Sequence, residues 1–462
     1  MGECADVVIV GSRCAGSAAA IAFAQRGRSV IALDGTSFPS DTLSTHLFFP
    51  HHWAELELLG ARDRVLQLGA PMHTRAGLAA PGVEVVGRFD PRQRNAAGSC
   101  VRRPGLDLAL VQTARAAGAQ VRERIRVTDL LRDSNGRVTG VGYRGRRGAS
   151  EGSEGTISAK LVVGADGRRS TVARLVAAGE HHRWDNQRMM AYAYYEDTRD
   201  DLRELAMQWR YGDDLATVFP CDGGQLVALL MPPVYRGDEF RHDSEAAFTD
   251  AIRRVPPFSD RLSECNRVGK IRVSHSHPSY FRHSQGPGWA LAGDAGHFKD
   301  PVTAQGIRDA LRFGRLLGEA TAAHLDNPRG LDAALVAWEH DRDEQCLPMY
   351  QWANLLGRSD TLSPIEDAAY RWFARRPDGA TELLDVFSRN RLPTDVFTAG
   401  RLVRWVAAAV RDPKVSRTEL WRTVRRDVRR EVDRMIEQRL FARRRAASAV
   451  RGTSVQTLPA TT

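Results

Sequence analysis

Long apolar runs are missing from this 462-residue chain. Its most apolar N-terminal stretch, residues 17–24, is broken by Gln25 and Arg26. That falls well short of the roughly 20 residues a helix needs to cross a bilayer, so an integral membrane protein is excluded. No basic segment precedes that run in Met1-Gly2-Glu3-Cys4-Ala5-Asp6, and a secretory leader is not expected. Cysteine is sparse and scattered: Cys4, Cys14, Cys100, Cys221, Cys265 and Cys346 include no C-x-x-C pair. This argues against a disulfide framework or a zinc site and fits a reducing cytoplasm. Lysine is nearly absent, occurring only as Lys160, Lys270, Lys299 and Lys414; arginine carries the remaining positive charge, and that choice implies no function.

What is present is an ordinary globular composition, 42% hydrophobic and 26% charged. It excludes wholesale disorder, and the length allows two or three domains with a buried core. The net charge is +10, but residues 413–451 hold 13 basic against 5 acidic side chains. The rest of the chain is therefore close to neutral. A nucleic-acid footprint would have to live in that tail alone and is not expected.

The N-terminus reads strand, turn, helix, strand. Residues 6–10 form a short apolar run ending at Gly11, residues 17–26 are Ala-rich and stop at Gly27, and residues 29–33 are apolar again, ending at Asp34. This is a βαβ unit of about the expected 30 residues. Residues 35–52 read as a loop, 53–68 and 106–117 as helices, and 121–131 and 137–144 as strands of a mostly exposed sheet. Residues 145–155 read as a mobile hairpin tip. Residues 161–166 form another buried strand. The segments 189–195, 206–211, 215–219 and 225–230 are spaced for an antiparallel meander. Residues 289–294 form one more strand and 306–323 a helix, and from 331 onward the pattern is mainly helical. Residues 416–441 place Leu420, Val424, Val428, Val432, Met435, Ile436 and Leu440 at helical spacing among arginines. This reads as an amphipathic helix docked on its domain with a solvated arginine face, with membrane-surface attachment as the alternative.

Three strand-end motifs carry chemistry. In Gly11-Ser12-Arg13-Cys14-Ala15-Gly16, Gly11 allows a tight turn and Gly16 a close helix–sheet contact, and the helix N-terminus suits a pyrophosphate. Asp34, 23 residues after Gly11, is placed to accept hydrogen bonds from a ribose. Arg13 stands where the dinucleotide fingerprint has its second glycine. The second motif, Gly164-Ala165-Asp166-Gly167, is a strand end followed by a turn. The third is Gly293-Asp294-Ala295-Gly296-His297, followed by Pro301-Val302-Thr303-Ala304-Gln305-Gly306. Here a strand delivers an aspartate, and a Pro/Gly turn starts a helix whose N–H groups suit an electron-rich ligand atom such as the pyrimidine edge of a flavin.

With these motifs in this order, residues 5–345 resemble the FAD-dependent monooxygenases that have a single dinucleotide-binding domain, the group typified by para-hydroxybenzoate hydroxylase. Geranylgeranyl reductases and flavin-dependent halogenases share that superfamily. The resemblance implies an α/β fold in which a Rossmann-like FAD-binding domain is interrupted by a mostly antiparallel β-sheet substrate domain, with a C-terminal helical region. The implied boundaries are 1–180 and 286–345 for the FAD domain, 181–285 for the sheet, and 346–462 for the helical region.

The resemblance also implies that Gly11, Arg13, Gly16 and Asp34 surround the ADP half of FAD and that Arg103 reaches the cofactor. Asp166 and Gly167 match the family's Asp-Gly motif. Gly293 and Asp294 match its Gly-Asp motif, whose aspartate bonds the ribityl chain. Pro301, Gln305 and Gly306 would lie against the isoalloxazine. Arg308 replaces the family's frequent asparagine. His46, beside Thr45, is a candidate catalytic residue, a structural hydrogen bond being the plainer reading. His51 and His52 read as surface residues, and His297 as a phosphate-side or structural contact. Tyr192, Tyr194, Trp209, Phe219 and Pro220 lie on the sheet that would roof the substrate, or are core aromatics.

The implied reaction is oxygenation of an aromatic or unsaturated small molecule, a specialised metabolite, using NADPH or NADH and O2 through a flavin C4a-hydroperoxide. A reductase of isoprenoid double bonds is the alternative. A halogenase is less favoured, because no two tryptophans lie two residues apart as its W-x-W-x-I-P signature requires.

Overall fold

The computed structural model describes residues 2–145 and 154–453; most of the 145–155 hairpin tip lies outside the described residues. The frame is an eight-stranded sheet. Its parallel centre aligns Trp289–Leu291, Glu154–Gly164, Glu3–Val10, Val30–Leu33 and Gln120–Arg122 in that spatial order. The central strands are nearly continuous apolar runs because both faces are covered. A hairpin of Ile125–Arg132 and Val138–Gly145 extends the sheet antiparallel. The helices Cys14–Ala24 and Gly306–Thr321 pack tightly across one face. A Cβ on Gly318 would come within 2.6 Å of Ala22 Cβ, and one on Gly314 within 2.5 Å of the Ala15 carbonyl. Small residues on both helices let their backbones meet.

The second sheet has seven strands in the order Arg267–Ser274, Met190–Glu196, Gln225–Leu230, Asp214–Cys221, Leu205–Tyr211, Arg75–Ala80, Val83–Arg88. The expected meander is there, but the sheet does not start at 181. The hairpin 75–88 leaves the FAD domain early and pairs parallel to Leu205–Tyr211. One face of this sheet, with Ala191, Ala193, Tyr195 and Trp209, packs under helices Ser244–Arg253 and Pro256–Leu262. The other face, with Met190, Tyr192, Phe219 and Leu229, packs toward the C-terminal helices.

Three local expectations change. Residues 35–52 are not all loop, since Leu47–Phe48 pairs with Gly98–Cys100 and a helix starts at Pro50. The helix expected over 53–68 is two, Pro50–Leu58 and Arg62–Leu66, separated at Gly60, whose φ of +70° ends the first. The C-terminal region does not begin at 346, because one helix runs unbroken over Pro328–Leu356. The last helix, Arg417–Thr453, is amphipathic as expected but docks the other way round. Its inward face combines Leu420 and Val424 with polar contacts to Gln351 and Asp360, while Val428, Val432, Met435, Ile436 and Leu440 are exposed.

Candidate active site

The strand Glu3–Val10 ends at Gly11, with φ +95°. A side chain there would strike the Ala165 carbonyl at 2.5 Å, and one on Gly16 would strike the Gly11 carbonyl. The turn therefore closes only with glycine at both positions, and it exposes the N-terminus of Cys14–Ala24. Asp34 leaves the next strand and accepts hydrogen bonds from Ser12 N–H (2.8 Å) and from Thr36 N–H and Oγ1 (2.8 and 2.7 Å). It braces the glycine turn as well as ending the strand. Arg13 caps the helix without filling the turn. Its guanidinium donates to Asp107 and to Ser40 Oγ (3.0 Å) and lies over Phe38.

Asp107 is fully buried and also receives Arg103 through three contacts of 2.8–3.1 Å. Two arginines on one buried carboxylate leave a net positive charge at the base of the cleft. The carboxylate holds the Arg103 guanidinium firmly protonated. Asp107 was not anticipated as part of the site, although its i,i+4 spacing from Arg103 was legible.

Gly293 takes φ +60°, and a Cβ there would meet Ala15 Cβ at 2.7 Å. It thus lets Asp294 come up against the first helix. Tyr280 Oη donates to the Asp294 carbonyl at 2.7 Å. Among the described residues the Asp294 carboxylate has no hydrogen-bond partner. Enclosure raises its pKa, opposed by the charges of Arg168, Lys299 and Arg103. Asp166 differs: its two oxygens receive Ser170 Oγ (2.5 Å) and Thr171 N–H (2.6 Å), capping helix Thr171–Leu175. Gly167 beside it is an open turn residue at φ +79° with nothing near its Cβ position.

Pro301–Thr303 forms a single turn ended by Ala304 in left-handed backbone, φ +50°. Gln305 is buried and fully engaged. Its Nε2 donates to the carbonyls of Thr303 (3.1 Å) and Phe387 (2.8 Å), and its Oε1 accepts from Arg389 Nε (2.9 Å). Gly306, exposed, opens the helix. Below it Asp309 gathers Lys299, Arg308 (2.8 Å) and Arg389 (3.2 Å), which hold its pKa far down despite burial. His297 is a buried structural contact, 2.9 Å from Lys299 Nζ. Arg389, from the segment after helix Gly379–Phe387, thus pins the turn from outside the FAD domain. No motif marked it.

His46 is buried in left-handed backbone, φ +63°, with its Nε2 3.0 Å from Tyr194 Oη and its ring edge-on to Tyr192 and Tyr194. Burial and the charges of Arg103 and Arg272 push its pKa down to about 3, so it is neutral at pH 7. Burial pushes both tyrosines up. His52 is buried, not on the surface; its ring stacks on Phe48, and His51 stacks against it.

Beside this group lies a narrow cavity with about 40 Å³ open to water-sized groups. Its walls come from Leu47 and Phe49, the 76–78 strand, the inner sheet face including Phe219, the 301–304 turn, and Leu384 and Phe387 of the C-terminal region. The polar lining is Thr45, Gln208, Thr217 and Thr303, and among the described residues no ionisable side chain borders it. Trp209 does not belong here. Alternation along Leu205–Tyr211 turns it to the outer face, where it packs edge-on to Phe258. Pro220 likewise alternates away from Phe219, and its carbonyl accepts from His73 Nε2 at 2.8 Å.

The glycine-cradled start of Cys14–Ala24, the helix start at Gly306, the free Asp294 carboxylate and the cationic base built on Asp107 fit the pyrophosphate, ribityl and ring portions of a flavin dinucleotide. The molecule is in that class a flavoprotein. The FAD binding domain family matches residues 4–346, and the chain belongs to it; it is a flavin-dependent oxidoreductase.

Among curated relatives it is 27% identical over 336 residues to a menaquinone reductase of Mycolicibacterium smegmatis, covering 68% of this chain and 76% of that one. It is 26% identical over 331 residues to a digeranylgeranylglycerophospholipid reductase of Methanosarcina mazei, covering 68% and 74%. Among solved structures it resembles the flavin-dependent brominase Bmp2, with TM-score 0.72 and 19% identity over 88% of this chain and 98% of that one. It also resembles PqsL of Pseudomonas aeruginosa, a probable FAD-dependent monooxygenase, with TM-score 0.62 and 16% identity over 83% and 99%.

Proposed function

We propose that this protein is an FAD-dependent monooxygenase that uses NADPH or NADH and O2 to hydroxylate or epoxidise a neutral, apolar, unsaturated small molecule. The observation that carries this is the cavity. It is narrow, walled by aliphatic and aromatic side chains, and bordered by no charged side chain among the described residues. An anionic substrate would find no counter-charge there. A neutral carbon chain or ring carries no charge to desolvate on entry and gains burial.

Bound FAD supplies hydride acceptance and oxygen activation. The chain's own residues position it. Gly11 and Gly16 would admit the pyrophosphate to the helix N-terminus, Asp34, whose oxygens already accept from Ser12 and Thr36, would brace that loop beside the ribose, and Arg103 and Asp294 would face the ribityl and ring region. The 301–306 turn, held by Arg389 through Gln305, supports the ring. In this reading Arg13 shapes the pyrophosphate loop through Asp107, and Asp166 with Gly167 is scaffold rather than ligand. His46 is too weak a base at pH 7 to deprotonate a phenol. Its part is to orient Tyr194 beside the cavity, whose wall on this sheet includes Phe219.

A second reading, reduction of isoprenoid carbon–carbon double bonds, is favoured by the names of the two reductase relatives, and the same apolar walls serve it. The two are separated by loading the purified protein with FAD, reducing it anaerobically with NADPH, and then adding isoprenoid or polycyclic substrates with and without O2. Product carrying one atom of ¹⁸O from ¹⁸O2 supports oxygenation. Saturated product formed without O2 overturns oxygenation in favour of reduction. A protein that cannot be loaded with FAD overturns both.

A further inference from the structure

The C-terminal helix docks through a polar face and leaves an apolar one uncovered. Inward, Gln351 bonds Glu437 (2.7 Å) and Gln438 (3.0 Å), Asp360 pairs with Arg426 and Arg430 (3.4 and 3.1 Å), and Glu437 reaches His182 (2.9 Å). Outward, Trp421 is 73% exposed and Val428, Val432, Met435, Ile436 and Leu440 are 42–57% exposed. At 100° per residue these six form one stripe. On or beside that stripe stand Arg422, Arg425, Arg429 and Arg439, all exposed and without an ion-pair partner among the described residues. Helix Ala399–Arg411, in contact with it, leaves Val403 and Val410 exposed as well.

We propose that this face binds the surface of an anionic lipid bilayer, with the apolar stripe and Trp421 in the acyl boundary and the four arginines at the phosphates. Two features point to lipid. Four arginines without an ion-pair partner among the described residues stand there against exposed Asp433 and Glu431, the latter already paired with Arg434, so the face is net positive and complements an anionic surface. A second copy of this chain would instead set arginines against arginines in the same contact, an arrangement that like-charge repulsion disfavours. Interfacial helices have this composition: a basic polar face, low net hydrophobicity and an exposed tryptophan. The proposal is independent of which reaction the flavin performs.

The test uses the full-length, FAD-loaded protein in flotation with phosphatidylcholine vesicles, with and without phosphatidylglycerol. Binding is expected only to the anionic vesicles and should weaken as salt rises. Each arginine near such a surface accounts for about a fivefold change in partition. R422Q/R425Q/R429Q/R439Q should therefore lower binding by about a hundredfold or more. W421S/I436S should lower it by about tenfold or more. FAD content and melting temperature should stay unchanged in both variants, since these side chains touch neither core nor cleft. Three results would overturn the proposal: no binding to anionic vesicles at low salt, binding insensitive to both variants, or a stable dimer in solution that shields Trp421 from aqueous quenchers.

Discussion

Asp166 and Asp294 come after neighbouring parallel strands of one sheet, Glu154–Gly164 and Trp289–Leu291, each beside a glycine, and they do different work. Asp166 spends both oxygens on the start of a short helix. Among the described residues Asp294 has no hydrogen-bond partner for its carboxylate, which lies among cationic groups. The glycines differ in the same sense. Gly293 is pressed against Ala15, whereas Gly167 faces open space. A strand-end Gly/Asp pair is therefore only an opportunity. The path of the chain just beyond it decides whether the carboxylate becomes scaffold or ligand. A capping serine four residues on, as at Ser170, absorbs it; a turn that leads away, as at 295–300, leaves it free.

The sharpest way to break this contrast is Gly293→Ala. Left-handed strain of about 1–2 kcal/mol joins overpacking against Ala15 of about 1–3 kcal/mol. Calorimetry should show the apoprotein destabilised by their sum, with flavin lost on gel filtration.

Asp300, in the same return segment, comes next. Its Oδ1 accepts from Val302 N–H, its Oδ2 is buried without a hydrogen-bond partner among the described residues, and burial pushes its pKa up to about 7. The folded state thus keeps this proton after the unfolded chain has lost it. Its contribution to stability falls as pH rises from about 4, where a free carboxyl ionises, to about 7, and is flat above. Asp300→Asn should remove that slope and raise stability at pH 8 by about 2–4 kcal/mol, with little change at pH 4. Melting curves across pH test this.

Asp294→Ala should weaken FAD binding by about 10- to 100-fold, the worth of a charged hydrogen bond, while leaving the apoprotein's melting temperature nearly unchanged. Fluorescence titration of FAD reads it. The smallest effects should come from the scaffold partner. Asp166→Ala and Gly167→Ala should each cost about 1 kcal/mol of stability, through a lost cap and a left-handed residue, with FAD affinity intact. If Asp166→Ala strips the flavin and Asp294→Ala does not, the assignment of roles is reversed.

The two faces of the substrate sheet repeat the lesson. Tyr192 and Tyr194 were legible as one face by alternation within their strand, and the structure puts Phe219, from another strand, on that same inner face. Trp209 was grouped with them, but alternation within a strand cannot relate one strand's faces to another's. Pairing sets that relation, and pairing of Leu205–Tyr211 with Asp214–Cys221 puts Trp209 opposite Ala216 on the outer face. The amphipathic tail shows a third form of the same limit. Its period was correct, but which side faced the protein depended on Gln351 and Asp360, far away in sequence.

The sequence by itself determined the βαβ start, the glycine turns and their order, and with them the FAD-binding frame. The βαβ start rests on contacts within about 30 residues and the turns on backbone conformations that only glycine takes easily, while the close approaches of Gly11 to Ala165 and Gly293 to Ala15 belong to the tertiary fold. Tertiary structure alone decided the rest. It assembled one cavity from residues 45–49, 76–78, 206–231, 301–304 and 384–387 and brought Arg389 onto Gln305 and Asp309. Those outcomes depend on burial and pairing between segments far apart in sequence, which no local pattern encodes; of the two aspartates, only Asp166 is settled locally, by the cap at Ser170.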